Sequence, residues 1–476
     1  ATFIANGING GAGGRGGASQ RYGIVEVNFA SENFPNVTHA GFRIPSFWLT
    51  RFARNMDCRS GTCVNTSATG VDTHGTRVAR VLAGSIELGT DPTITDPFER
   101  IRRSGNAQLG AFYYYSVDGT CSSWRAAVQR AVVDSVDVLN VSSWLGCSGS
   151  VGTGPCWTDC DCAGLNQDLR TATAAGTLIV AMMGNFGGGA GTCTAVYPAI
   201  QRDLLAVGGL ATPSGGTNYD TAVMHTNSGR GGVDTRLWTG TTVSRAQAVA
   251  DLVAPYDVRY VYAAPPSGYG DFSYGGTSFA TPAVAGAMGL LRQQFASIGW
   301  PTADARLLHV HGVLMGDGFH SDIGGDFATH MDRRSGAGRA HFHYPYSPSL
   351  VFPWGWSWHS FMIGPGGAVE FPVGGAGPES PSIRQWKGAL LWDEPDATAA
   401  ADIVFEVRDH CPAGGGGPTT IAADNSFDYR KRIELAQGQI SNRCLYYRAR
   451  AFSVPPGQLR RVYIAQYFHS GDPADH

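Results

Sequence analysis

The feature that most constrains this chain is a series of short apolar runs between Tyr22 and about residue 290. They are Gly23–Val27, Leu109–Tyr114, Val136–Val141, Leu178–Met182, Leu204–Val207 and Ala250–Ala254. Each has the length of a strand, and none alternates strictly between apolar and polar residues. That pattern fits strands buried on both faces. Between them lie stretches with helical spacing, Val78–Ala83 and Trp124–Val132. Alternating strand and helix patterns predict an α/β fold, a parallel sheet with flanking helices. After about residue 345 the helical spacing fades. Phe361–Val373, Ala389–Asp393, Asp402–Arg408, Leu445–Phe452 and Arg460–Tyr467 read as strands separated by Gly/Pro turns. They predict a smaller all-β sandwich, jelly-roll-like. Residues 1–20 are Gly-rich and read as an arm. The expected organisation is therefore an arm over 1–20, a larger α/β domain over 21–345 and a β-sandwich over 346–476.

A chain of 476 residues with 43% hydrophobic content can build such a pair of domains. The formal net charge of −3 argues against nucleic acid or an acidic membrane surface as a partner. No apolar run approaches the roughly 18 residues of a membrane span. Only Lys387 and Lys431 are lysines among the 35 basic residues. The ten cysteines form an even set that an oxidising compartment would pair. The chain opens at Ala1, so the expectation is a secreted, mature form from which a signal peptide and pro-segment have been removed.

Three segments carry chemistry. In Gly275-Gly276-Thr277-Ser278-Phe279-Ala280-Thr281-Pro282 a serine follows a glycine pair and opens a helix of small residues. The glycines permit a tight turn, and the helix N-terminus brings free N–H groups and a positive dipole end to the Ser278 oxygen. In Asp72-Thr73-His74-Gly75-Thr76 a histidine begins another such helix. In Ala181-Met182-Met183-Gly184-Asn185 an apolar strand ends at an amide able to donate to a developing oxyanion.

These segments, in this order, resemble the His, oxyanion-Asn and Ser motifs of the subtilisin-like serine peptidases (subtilases). Asp137–Trp144 resembles the family's substrate-pairing strand, and Tyr197–Ala199 through Leu205–Gly208 the strand after the oxyanion Asn. The resemblance spans roughly residues 20–340. It implies a serine endopeptidase in which Ser278 attacks the scissile carbonyl, His74 is general base, and Asn185 with the Ser278 N–H forms the oxyanion hole. It also implies substrate contacts from Ser142, Ser143, Trp144, Leu145, Gly146, Met183 and Gly184. Polypeptides are the expected partners of a monomer, and the chemistry calls for no cofactor, although the resemblance allows a structural calcium ion. Asp317, Asp322 and Asp326 match no defined calcium loop.

The chain departs from the family at the triad acid. The family's first strand ends in Asp, whereas Arg21-Tyr22-Gly23-Ile24-Val25-Glu26-Val27-Asn28 contains none. Glu26 is the expected third member, since a Glu can orient a His tautomer. Asn28 and Asp72 are the rivals. The missing Asp also motivates a second reading, a peptide-binding pseudoprotease, and the terminal sandwich motivates a third, an adhesion or carbohydrate module. The remaining marked residues read as structural. Cys147, Cys156, Cys160 and Cys162 would staple an insertion, Cys58 and Cys63 a small loop before His74, and Cys411 and Cys444 each other. His309, His311, His320, His330, His341 and His343 lack ligand spacing. Trp354, Trp356 and Trp358 read as packing residues. Asn36-Val37-Thr38 is a glycosylation sequon.

Overall fold

A computed structural model describes residues 20–28, 34–38, 42, 50–70, 73–84, 105–107, 110–145, 162–188, 194–211, 223–238, 241–247, 250–264, 268–297, 299–317, 336–340, 357–373, 385–393, 401–411, 416–424, 429–441 and 443–469. The first half is built on a parallel sheet. Its strands are β1 (Arg21–Val27), β2 (Phe52–Asp57), β3 (Ala111–Val117), β4 (Val138–Val141), β5 (Leu178–Met182), β6 (Leu205–Ala211), β7 (Leu252–Pro255) and β8 (Arg339–Ala340). These eight run in the order β8-β7-β6-β5-β4-β1-β3-β2, every neighbouring pair parallel, and the short strands Gly316–Asp317, Val64–Asn65 and Val223–Met224 add antiparallel beside β8, β2 and β6.

The absence of strict alternation now has its cause. On β1, Tyr22 and Ile24 pack with helices α1 (His74–Ala83), α4 (Thr277–Ser297) and α5 (Ala305–Leu314), while Val25 packs on the other face. That second face is covered by α2 (Cys121–Val133) and α3 (Ala163–Ala174). Both faces are dry, so both sets of alternating side chains must be apolar. The crossover helices are those that the spacing predicts at Val78–Ala83 and Trp124–Val132.

The second half forms two four-stranded antiparallel sheets. One holds β9 (Ser357–Ile363), β11 (Gln385–Trp392), β14 (Arg430–Ala436) and β16 (Arg460–His469). The other holds β10 (Ala368–Pro372), β12 (Asp402–Asp409), β13 (Thr419–Asp424) and β15 (Leu445–Ser453). Trp386, Phe405 and Tyr447 meet between them. Strand β14 escapes the apolar-run reading because Arg430, Lys431, Arg432 and Glu434 are charged yet buried. Leu391, Tyr463 and Ala465 share one core with Leu307 and Leu308 of α5, so the sandwich packs directly on the α/β half.

Three disulfides lie among the described residues: Cys58–Cys63, Cys411–Cys444 and Cys121–Cys162. The first two are the expected pairs. The third corrects the expectation of a self-contained insertion, since Cys162 ties the start of α3 to Cys121 at the start of α2. Cys147, Cys156, Cys160 and Cys193 lie outside the described residues, as do Trp354, Trp356, Asp72, Asp322, Asp326, His320, His330, His341, His343 and the Gly-rich arm. His309 and His311 are buried core residues. No described helix is long and apolar enough to cross a membrane, and no group of metal-ligating side chains occurs among the described residues.

Candidate active site

β1, β4 and β5 stop at the same edge of the sheet, and α1 and α4 open there. Thr73 caps α1, its Oγ1 accepting the Thr76 N–H at 3.1 Å and donating to the Phe34 carbonyl at 2.7 Å. This cap sets His74 as the first residue of the helix. Glu26 lies on β1 and is buried at 1% exposure. Its Oε2 is 2.9 Å from His74 Nδ1. The Glu26 carboxylate thus lies within hydrogen-bond distance of the His74 ring. The rival Asn28 donates its N–H to the Val117 carbonyl, and its buried side-chain amide has no hydrogen-bond partner among the described residues.

Burial pulls the His74 imidazole downward, but the charge and hydrogen bond of Glu26 outweigh it and hold the ring above its ordinary value, with Arg77 opposing. With Nδ1–H given to the carboxylate, Nε2 is the nitrogen left to take a proton.

Ser278 is the second residue of α4. Gly276, at φ +154°, makes the turn before it, and a Cβ there would lie 3.4 Å from Asn185 Nδ2. Asn185 follows the end of β5. Its Oδ1 accepts from both the N–H (2.9 Å) and the Oγ1 (3.0 Å) of Thr277. Thr277 Oγ1 in turn accepts the Gly184 N–H at 3.1 Å. These bonds fix the amide's orientation and leave Nδ2 as its free arm beside Gly276. The Ser278 N–H falls in the first turn of α4, where N–H groups lack intrahelical acceptors. The Ser278 hydroxyl itself donates to Met182 Sδ at 3.2 Å.

The remaining site expectations are placed unevenly. Ser142 Oγ accepts from Asn140 Nδ2 and donates to the Ser278 carbonyl. Ser143 Oγ donates to Glu26 Oε2 at 2.8 Å. Both side chains are thus turned inward. Leu145 and Met183 pack into the core. Gly184 has φ +89°, and a Cβ on it would meet Val196 at 2.6 Å. Gly146 lies outside the described residues. Trp144 stays out, 46% exposed, and meets the 45% exposed ring of Phe186 edge-on at 5.7 Å. Sequence reasoning missed Phe186, Met182 and Thr277. Phe186 and Thr277 adjoin Asn185 and Ser278 in sequence, whereas Met182, three residues before Asn185, carried no such sign.

A model of the Subtilase family matches residues 48–338, a span that begins after β1. Alkaline elastase YaB from Bacillus sp. (strain YaB) is 30% identical over 233 residues, covering 49% of this chain and 48% of the relative. Subtilisin DY from Bacillus licheniformis is 25% identical over 265 residues, covering 55% and 77%. The chain thus spans about half the length of the alkaline elastase. Among solved structures, Sphericase is similar over 68% of this chain and 92% of its own, at 19% identity and a TM-score of 0.45. A cold adapted subtilisin-like serine proteinase is similar over 70% and 90%, at 17% identity and a TM-score of 0.41. The family match holds the His74, Asn185 and Ser278 segments together, and on it the chain belongs to the subtilase family.

Proposed function

We propose that this chain is a secreted serine endopeptidase that hydrolyses polypeptides through a Ser278–His74–Glu26 triad. The observation that carries the reading is the buried Glu26 carboxylate 2.9 Å from His74 Nδ1. Ser278 Oγ turns from Met182 to His74 Nε2, loses its proton to it, and attacks the carbonyl carbon. The oxyanion is received by Asn185 Nδ2 and the Ser278 N–H. His74, now an imidazolium beside the Glu26 carboxylate, returns the proton to the leaving amine, and water repeats the sequence on the acyl-enzyme. Losing one oxyanion donor typically costs about 10²–10³ in turnover.

Substrate backbone pairs along the segment after β4, residues 142–146. Because the side chains of Ser142, Ser143, Leu145 and Met183 turn inward, their contribution is through the main chain. Trp144 and Phe186 supply the apolar side-chain contact beside Asn185. The three disulfides support an oxidising, extracellular destination. The chain is divided into catalytic residues 21–345 and a sandwich over 346–476. The shared core at α5 makes deletion of the sandwich a test of folding rather than of function.

The decisive experiment is fluorophosphonate labelling with mass mapping. Stoichiometric adduct on Ser278, lost in Ser278→Ala and slowed strongly in Glu26→Ala, supports the reading. Folded protein that takes no label would instead make the peptide-binding pseudoprotease the leading account. The Ser278–Met182 hydrogen bond is the observation that favours that second reading.

A further inference from the structure

We propose that Ser143 is a positioning residue for the general base, its hydroxyl holding the Glu26 carboxylate against His74; this rests on the Ser278–His74–Glu26 reading.

The need for such a residue follows from the acid being Glu. Its carboxylate sits one torsion farther from the backbone than that of an Asp, so ordering it costs more rotamer freedom. Neighbouring donors must supply that ordering. Glu26 Oε1 is buried with no hydrogen-bond partner among the described residues. All directional support therefore falls on Oε2, which receives His74 Nδ1 at 2.9 Å and Ser143 Oγ at 2.8 Å. Val27, next to the acid, has an aliphatic side chain and can donate nothing from it.

What Val27 does supply is orientation. Its N–H donates to Ser143 Oγ at 3.0 Å. That occupies a lone pair of the hydroxyl and turns its one proton toward Glu26. The register makes the meeting obligatory. β1 and β4 run parallel with Val25 opposite Val141, so the chain leaving β4 passes beside Glu26 and Val27. Ser143 is only 6% exposed, so its hydroxyl is spent inside the sheet and is not offered to substrate. A neutral hydroxyl donating to a carboxylate is charge-assisted, stronger than a neutral pair.

The test uses the full chain and reads the second-order rate of Ser278 labelling by a fluorophosphonate, with kcat and KM on a casein-derived fluorogenic peptide. Ser143→Ala is expected to lower kcat and the labelling rate about 10- to 50-fold, with KM changed less than about twofold. Ser143→Thr, which keeps the hydroxyl, should recover to within about threefold of the parent. In a Glu26→Ala background, Ser143→Ala should have no further effect, because the group it positions is gone. The proposal is overturned if Ser143→Ala turns over like the parent, if its loss lies in KM, or if the same fold-loss recurs in the Glu26→Ala background. Should Ser143→Ala fail to fold, Ser143→Cys, a weaker donor of similar volume, must show an intermediate loss for the proposal to stand. The triad reading fails separately: Glu26→Ala labelled as fast as the parent removes it whatever Ser143 does.

Discussion

The Ser142 hydroxyl donates to the Ser278 carbonyl at 2.8 Å, an oxygen left open because Pro282, four residues on in α4, has no N–H to give it. A proline inside a helix normally orphans such a carbonyl. Here a side chain from the end of β4 takes it, and the Ser278 backbone is thereby tied to the central sheet.

Ser142→Ala should therefore lower the unfolding midpoint. The buried carbonyl loses its donor, at a cost of about 1–3 kcal/mol. Pro282→Ala supplies the missing N–H, so the double variant should regain part of the loss. Calorimetry of the two single variants and the double measures this; strictly additive losses would refute the link.

Glu26→Gln should lower kcat by about 10⁴, by analogy with the amide variant of a triad acid, which holds the wrong His tautomer. The pH profile carries the sign. The base must be neutral, so the acid limb of kcat/KM follows His74. Burial lowers that imidazole and the Glu26 carboxylate raises it, with a net rise. Removing the carboxylate charge leaves burial unopposed, and the acid limb should move to lower pH. A limb that stays in place would show that Glu26 does not set the charge of His74.

Arg430 is one buried polar link from the sandwich to the α/β half. Its Nη1 lies 2.7 Å from Asp251 Oδ1, which His309 Nε2 also reaches at 2.9 Å, while Asp251 Oδ2 accepts the Ala206 N–H at 2.6 Å. Arg430→Met strands a fully buried carboxylate and should cost about 3–5 kcal/mol, with partial recovery in Arg430→Met/Asp251→Asn. Burial raises the Asp251 carboxyl, but Arg430 and His309 together hold it below its ordinary value. The stability it contributes is therefore present at neutral pH and lost as pH falls. In Arg430→Met the acid limit of folding should move to higher pH, which denaturation followed by circular dichroism would read directly.

The two lysines should be invisible to amine reagents until the chain unfolds. Lys387 is 2% exposed, with Nζ 3.1 Å from the Gly316 carbonyl and 3.7 Å from Glu434 Oε1. Lys431 is fully buried, 3.7 Å from Asp402 Oδ1 and 4.0 Å from Asp424 Oδ1. Reaction with an N-hydroxysuccinimide ester should yield no lysine adduct on folded protein and adducts at both after unfolding and reduction. A native adduct at either would contradict this packing.

Much of this protein was written locally. The parallel sheet was legible because strands dry on both faces read as continuous apolar runs, and Leu178–Met182 is bounded as expected. Ser278 and His74 could be singled out because each opens a helix after a turn, and Asn185 because it follows an apolar strand through a single glycine; such junctions need particular residues at fixed spacing. Glu26, the proposed acid, could be singled out only by position, since it is one carboxylate on an apolar strand until His74 is brought to it. Tertiary structure alone decided the rest. Arg430–Glu434 carries a strand's worth of charge, and no local pattern reveals that Asp251, Gly316 and their neighbours would satisfy it. Cys121 and Cys162 are 41 residues apart, and only the packing of two helices on one face makes them partners. Ser142 and Ser143 are adjacent in sequence but serve different members of the site. Their side chains leave the end of one strand in different directions, one to the Ser278 carbonyl and one to the Glu26 carboxylate, and the register between β1 and β4 determines which is which.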